Sequence, residues 1–133
     1  MIQRIQSIYL LLASAAAFSV LRWPFYYTPT PFALEINGSA QYSTLISLAF
    51  SACLSFISLF LYGNRMLQLK VTIVNFLLSC LIGFFVYKVV VANPGGGFTL
   101  PSLALFILPV LQILAMVKIY KDEQLVKSAD RLR

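Results

Sequence analysis

Sorted into apolar and polar positions, the chain resolves into four long apolar runs, at about 5–21, 45–62, 71–92 and 98–118, separated by short polar, proline-rich or glycine-rich connections. A bilayer core about 30 Å thick takes roughly 20 helical residues at 1.5 Å each, so every run is long enough to cross it. The pattern predicts an all-α membrane protein: four transmembrane helices in an antiparallel bundle, with residues 1–120 as the membrane domain and 121–133 as a charged, helical cytoplasmic tail. The first run, with Arg4 before it and Ala13-Ser14-Ala15 inside it, also has the outline of a cleaved secretory signal. Its charged flank is thin and three further spans follow, so it is read here as a span.

Polar residues inside the runs are placed by periodicity. Ser47, Ser51, Ser55 and Ser58 recur at four, four and three residues, which puts them on one face of the second helix. Ala13 with Ala17, and Ser79 with Gly83, form small-xxx-small pairs that suit close helix packing. Asn75 and Gln112 fall at matching depths in the third and fourth spans, which predicts a contact between them. Pro109 removes a helical hydrogen bond near Leu105. Packing is the primary reading of the serine stripe and the two amides; the alternative is a polar lining for a route through the bundle. Cys53 and Cys80 lie mid-run with no second thiol nearby and read as buried small apolar side chains.

The connections carry two further expectations. Trp23-Pro24-Phe25-Tyr26-Tyr27 resembles an interfacial aromatic belt, kept out of helix by Pro24, Pro29 and Pro31. Beyond it, Phe32, Leu34 and Ile36 alternate with polar or small residues, Asn37-Gly38 offers a turn, and Ala40 and Tyr42 continue the alternation, so a short β-hairpin is predicted in the first outer loop. Asn37-Gly38-Ser39 also matches a glycosylation sequon. Asn93-Pro94-Gly95-Gly96-Gly97 lacks the Lys-Ser/Thr of a phosphate-binding loop and reads as a flexible connection.

Charge then sets the direction of threading. Arg4, Arg65, Lys70, Lys118, Lys121, Lys127, Arg131 and Arg133 fall on one side of the predicted bundle and only Arg22 and Lys88 on the other. Eight cations against two place both termini in the cytoplasm. The net charge of +6 is scattered between apolar runs rather than gathered into a basic surface, so nucleic acid is not an expected partner. Anionic lipid headgroups at the cytoplasmic face are, at about 1 kcal/mol per nearby cation.

The chain has no histidine and four acids, Glu35, Asp122, Glu123 and Asp130. No span carries an ionisable residue near its midplane, and no paired cysteines are available. Proton-coupled transport, thiol oxidation and metal chemistry are therefore disfavoured, and no catalytic residue, metal ligand or cofactor is expected.

Seven of the fourteen charged residues crowd into the last thirteen positions. Leu125, Ala129 and Leu132 mark one face of a marginal helix there, and Glu123 with Lys127 is an attractive i,i+4 pair. Such a helix needs support from the underside of the bundle, from lipid or from a partner. The opening MIQRIQSIYLLL and the closing KDEQLVKSADRLR resemble the two ends of a family of small four-span membrane proteins of Bacteroidota without an established function. The resemblance implies a bacterial plasma (inner) membrane, where the sequon at Asn37 is irrelevant, and it brings no activity. Both resembling ends are cytoplasmic by the charge count, so Gln3, Arg4 and Gln6 together with Lys121, Asp122, Glu123, Lys127, Asp130, Arg131 and Arg133 form a candidate partner surface. The expectation is a non-enzymatic accessory or scaffold subunit of a cell-envelope complex; the alternative is a small-molecule or lipid transporter or channel.

Overall fold

The computed structural model describes residues 2–29 and 34–131, with side chains described for 5–29 and 34–129. Its elements are α1 (Ile2–Arg22), β1 (Pro24–Tyr27), β2 (Glu35–Asn37), α2 (Tyr42–Phe60), α3 (Arg65–Ala92), β3 (Gly97–Phe98) and α4 (Leu103–Arg131). All four helices are long and apolar enough to cross a membrane. Helices α1 and α3 each pack against α2 and α4, giving a four-cornered bundle in which chain neighbours are spatial neighbours. Connections this short permit little else.

At the end that carries the termini, α3 and α4 run past the apolar stretches that predict them, because their inward-facing stripes continue into more polar sequence. On α3 the buried residues are Gln68, Thr72, Asn75, Ser79, Ile82, Val86 and Val89, alternating in steps of four and three from one end to the other. The Asn64 side chain caps this helix by accepting from Leu67 N at 3.3 Å. On α4 the buried positions Leu108, Gln112, Ala115, Ile119 and Asp122 follow the same steps, so the predicted tail is the uninterrupted end of α4.

The bundle is apolar outside and half polar inside. Among the described residues, buried polar or charged side chains equal buried apolar ones, fourteen of each, while large apolar side chains such as Phe50, Leu77 and Phe106 face outward. That distribution inverts the soluble one. The core also divides along its length. Toward the sheet, Ala17, Val20, Leu48, Ala52, Val86 and Leu108 form an apolar cluster with Phe25 and Tyr26. Toward the termini the interior is made largely of hydroxyls and amides. Cys53 and Cys80, predicted to be buried, are both exposed on outward faces; a small apolar thiol suits an apolar exterior as well as a core.

An antiparallel β-hairpin does form in the first outer loop, but from other strands than the alternation predicts and within a three-stranded sheet. Strand β1 pairs with β2 and β3 on its two sides, in the order β2-β1-β3, both antiparallel. The aromatic segment is thus the central strand, with Pro24 at its first position, where a missing N–H is tolerated. Phe32 and Ala33 lie outside the described residues, and Tyr42 opens α2 instead of closing a hairpin. Gly38 is not used for a positive φ; Gly95 is the residue with that conformation among those described. Instead a Cβ on Gly38 would stand 2.6 Å from Leu48 Cδ1 and 2.8 Å from the Val20 carbonyl oxygen, so glycine there lets the loop reach α1, where Gly38 N donates to that oxygen at 2.9 Å.

The sheet is pinned to the bundle through Tyr26. Its hydroxyl donates to the Asn93 carbonyl at the end of α3 at 2.7 Å, and its ring meets Phe98 edge-on with centroids 5.4 Å apart. Gly96 makes that closure sterically feasible, since a Cβ there would strike the Tyr27 carbonyl oxygen and come within 2.6 Å of the Tyr26 ring. Gly96→Ala is therefore expected to lower stability by about 1–3 kcal/mol, as overpacking does, measured by chemical unfolding in detergent. An unchanged unfolding midpoint would show that the sheet yields freely.

Candidate functional site

Two regions gather the residues singled out by sequence: the polar layer of the core and the end of the bundle that carries both termini. In the polar layer the serine stripe faces inward as the spacing requires. Ser51, Ser55 and Ser58 are fully buried and Ser47 nearly so. Ser47 turns back to its own helix, donating to the Ser43 carbonyl at 2.7 Å. Ser55 instead receives a hydrogen bond at 2.7 Å from Asn75 Nδ2 on α3.

Asn75 and Gln112 are both completely buried at adjoining levels, but they do not bond to each other. Ser79, one turn beyond Asn75, meets Gln112 instead: its hydroxyl is 2.7 Å from Gln112 Oε1 and 3.1 Å from the main-chain carbonyl of Asn75 on its own helix. The contact predicted between the two amides is thus not made, and the Asn75 side chain reaches back to α2. Spacing along a helix gives depth and face, but the angle at which neighbouring faces meet decides which side chains touch.

Ser79 and Gly83 do not act as a packing pair. Ser79 points into the core, whereas Gly83 is exposed on a groove of about 540 Å³ between α3 and α4, which Pro109 also lines. Ala13 and Ala17 are fully buried.

Gln68 and Thr72 were missed. Gln68 Nε2 donates to the Ser58 carbonyl at 2.9 Å, tying the end of α2 to the start of α3, and Thr72 Oγ1 donates to the Gln68 carbonyl at 2.8 Å. Their signal was the spacing 68, 72, 75, 79, hidden because Gln68 falls in what the hydropathy pattern reads as a connection.

At the termini end, Gln6 is buried and its Nε2 donates to the Lys118 carbonyl at 3.1 Å, joining α1 to α4. Arg65, first residue of α3, reaches across to α4: its Nε lies 3.3 Å from Asp122 Oδ2, and Nη1 donates to the Asp122 carbonyl at 3.3 Å. The Nε contact is an ion pair without the alignment of a hydrogen bond. Asp122 is only 7% exposed. Glu123 pairs with Lys127 at 3.4 Å as the i,i+4 spacing predicts.

These contacts shrink the candidate partner surface. Gln6 and Asp122 are engaged inside the protein, and Glu123 is half covered. Lys121 and Lys127 remain exposed, and so do Leu125 and Val126. The side chains of Gln3, Arg4, Asp130 and Arg131, and Arg133 as a whole, lie outside the described residues. Beside the Arg65–Asp122 pair a notch of about 560 Å³ opens, lined by Tyr62, Asn64, Arg65, Met66, Glu123 and Val126. It mixes apolar rims with one cation and one anion. No cluster of metal-ligating side chains is present among the described residues.

Residues 2–132 match a family profile described as a domain of unknown function, DUF4293. No curated protein and no solved structure matches the chain.

Removing one member of the Arg65–Asp122 pair leaves the other charge largely buried. Arg65→Met or Asp122→Leu is expected to cost about 1.5–3 kcal/mol, the range for hydrogen-bonded charged groups. The double variant should lose less than the sum of the singles by at least about 0.5 kcal/mol. Unfolding of all three in mixed micelles checks this, and strict additivity would mean the pair is not coupled.

Proposed function

The chain belongs to the DUF4293 family over nearly its whole length, and from that premise, which brings no activity with it, we propose that it is an integral protein of a bacterial plasma (inner) membrane, four-span with both termini cytoplasmic. It serves there as a non-enzymatic accessory or scaffold subunit of a cell-envelope complex. The apolar exterior supports insertion. The excess of Lys and Arg at the termini end supports the orientation, and the resemblance of both chain ends to small four-span proteins of Bacteroidota supports the bacterial setting.

One observation carries the scaffold role: α4 continues unbroken past the apolar span to Arg131, with Asp122 held by Arg65. A helix of 29 residues is about 43 Å long, some 13 Å more than a hydrocarbon core. The excess projects into the cytoplasm as a fixed rod, with Leu125 and Val126 exposed beside Tyr62 and Met66. Apolar side chains held in place above a membrane surface suit docking of a protein segment. Lys121 and Lys127 add attraction to anionic headgroups or to an acidic partner.

The alternative, a route for small molecules or lipids along the serine stripe, has less support. Toward the sheet the core is filled by the apolar cluster of Ala17, Val20, Leu48, Ala52, Val86 and Leu108, and several of the inward hydroxyls and amides are joined across helices.

Deleting residues 124–133 keeps Asp122 and its partner while removing the exposed rod. Affinity purification in mild detergent with mass spectrometry should then lose the proteins that accompany the full chain, with membrane insertion and thermal stability unchanged. An identical set of co-purifying proteins would rule out the tail as the docking element.

A further inference from the structure

We infer that the groove between α3 and α4 seats one acyl chain of an anionic phospholipid from the leaflet on the sheet side, and that Lys88 meets its phosphate. The inference rests on the chain being inserted in a membrane, as proposed above. The groove, of about 540 Å³, is walled by α3, α4 and Phe98 of β3, so it opens on the side of the bundle and not into the serine stripe. It exists because bulk is missing from its floor. Gly83 has no side chain there, and a Cβ built on it would meet nothing within 4 Å. Three exposed aromatic side chains, Tyr87, Phe98 and Phe106, stand around the opening. An apolar cleft of this size with aromatic walls has the character of a ligand site.

Its dimensions select the occupant. On α3 the lining runs from Val90, at the sheet end, down to Ser79, about 16 Å of helical rise against about 15 Å for one leaflet of a 30 Å core. There the groove stops, at the level where Ser79 and Gln112 draw the two helices together at 2.7 Å. Spread over that length, its volume gives a mean cross-section of about 34 Å², less than half that of a helix 10–12 Å across. A helix from a second copy is too wide for it and has no reason to stop at mid-membrane. A single lipid chain fits both the width and the depth.

Charge selects the headgroup. Tyr87 also lines a second hollow, of about 600 Å³, together with Lys88, Gln41 and Asn93, so the two hollows adjoin at the outer end of α3. Lys88 is exposed one turn before that helix ends, with its ammonium 5.0 Å from the centre of the Phe84 ring. It has no carboxylate partner among the described residues. A lysine at this level lays its stem on apolar surface and holds its charge among headgroups, where a phosphate is the available anion. Gln41, whose Oε1 accepts from Thr44 Oγ1 at 3.4 Å, keeps its Nε2 as a further donor.

The test is native mass spectrometry of the full chain released from nanodiscs that hold equal parts of phosphatidylglycerol and phosphatidylcholine with the same acyl chains. One phospholipid should stay with each chain, phosphatidylglycerol about fivefold over phosphatidylcholine, the effect of one cation beside an anionic headgroup. Gly83→Leu, which fills the groove, should lose the retained lipid of both kinds. Lys88→Ser should keep a lipid but no longer distinguish the two. Unchanged retention in Gly83→Leu, or an unchanged preference in Lys88→Ser, overturns the inference, as does a dimer that Gly83→Leu disperses. Should Gly83→Leu fail to fold, a phosphatidylglycerol with a diazirine in its acyl chain decides on the unmodified chain: labelling should concentrate between Ser79 and Val90 and at Phe106, and labelling spread evenly over the outer faces overturns the inference. Alkaline carbonate extraction separates the two levels of failure. A chain that carbonate strips from the membrane refutes insertion itself, whereas an inserted chain that retains no lipid refutes only the lipid seat.

Discussion

Helices whose outer faces are as apolar as a lipid tail gain little from hydrophobic burial against one another, so something else must fix their order and register. In this bundle it is a set of hydrogen bonds between helices, made by amides and hydroxyls turned inward. Asn75 must meet Ser55, Gln68 must meet the end of α2 at the Ser58 carbonyl, and Gln112 must meet Ser79. Sliding α2 against α3 by one turn breaks the first two bonds together. Rotating α4 breaks the third and also removes Asp122 from Arg65. Helix α1 has less to offer in this respect. It is held by close approach at Ala13 and Ala17 and by Gln6 at the Lys118 carbonyl.

The inward amides lie toward the termini, and the other half of the core is mainly apolar and capped by the sheet. This division assigns separate tasks to the two ends. Near the sheet, packing of Leu48, Val86 and Leu108 under Phe25 and Tyr26 is tolerant of register but demands volume, which is why Gly38 and Gly96 sit where a Cβ has no room. Near the termini, the hydrogen-bond network specifies register.

Hydropathy and spacing found all four helices, because a run of apolar residues this long has few other solutions, and steps of three and four found the inward face of α2. What they could not supply is azimuth. The depths of Asn75 and Gln112 were legible; that Gln112 would meet Ser79 and not Asn75 depends on how α3 is rotated against α4. The sheet was misread for a related reason. Asn37-Gly38 is a strong local turn signal, but the partner of Glu35–Asn37 is the aromatic strand at Pro24–Tyr27 on the far side of the loop, and Gly38 serves close contact with α1. The thiols were misplaced by applying a soluble rule for cysteine to a chain whose exterior is the apolar side.

The same limit hides from the sequence what Asp122 does in the tail. Two of the tail's three acids act within the protein: Asp122 holds Arg65, and Glu123 holds Lys127 on the same helix. The first ties the end of α4 to α3, and the second lies along α4 itself. The helix continues past Asp122 and leaves Leu125 and Val126 exposed, Val126 on the notch that Tyr62 and Met66 also line. With about 1.5 Å of rise per residue, Leu125 and Val126 stand only some 5 Å beyond Asp122, close enough for their neighbours Lys121 and Lys127 to reach headgroups. In the proposed orientation, headgroups offer the cations a partner and offer Leu125 and Val126 none. A surface that lipid satisfies in one part and leaves bare in another fits a protein that docks at the membrane face better than it fits an anchor alone.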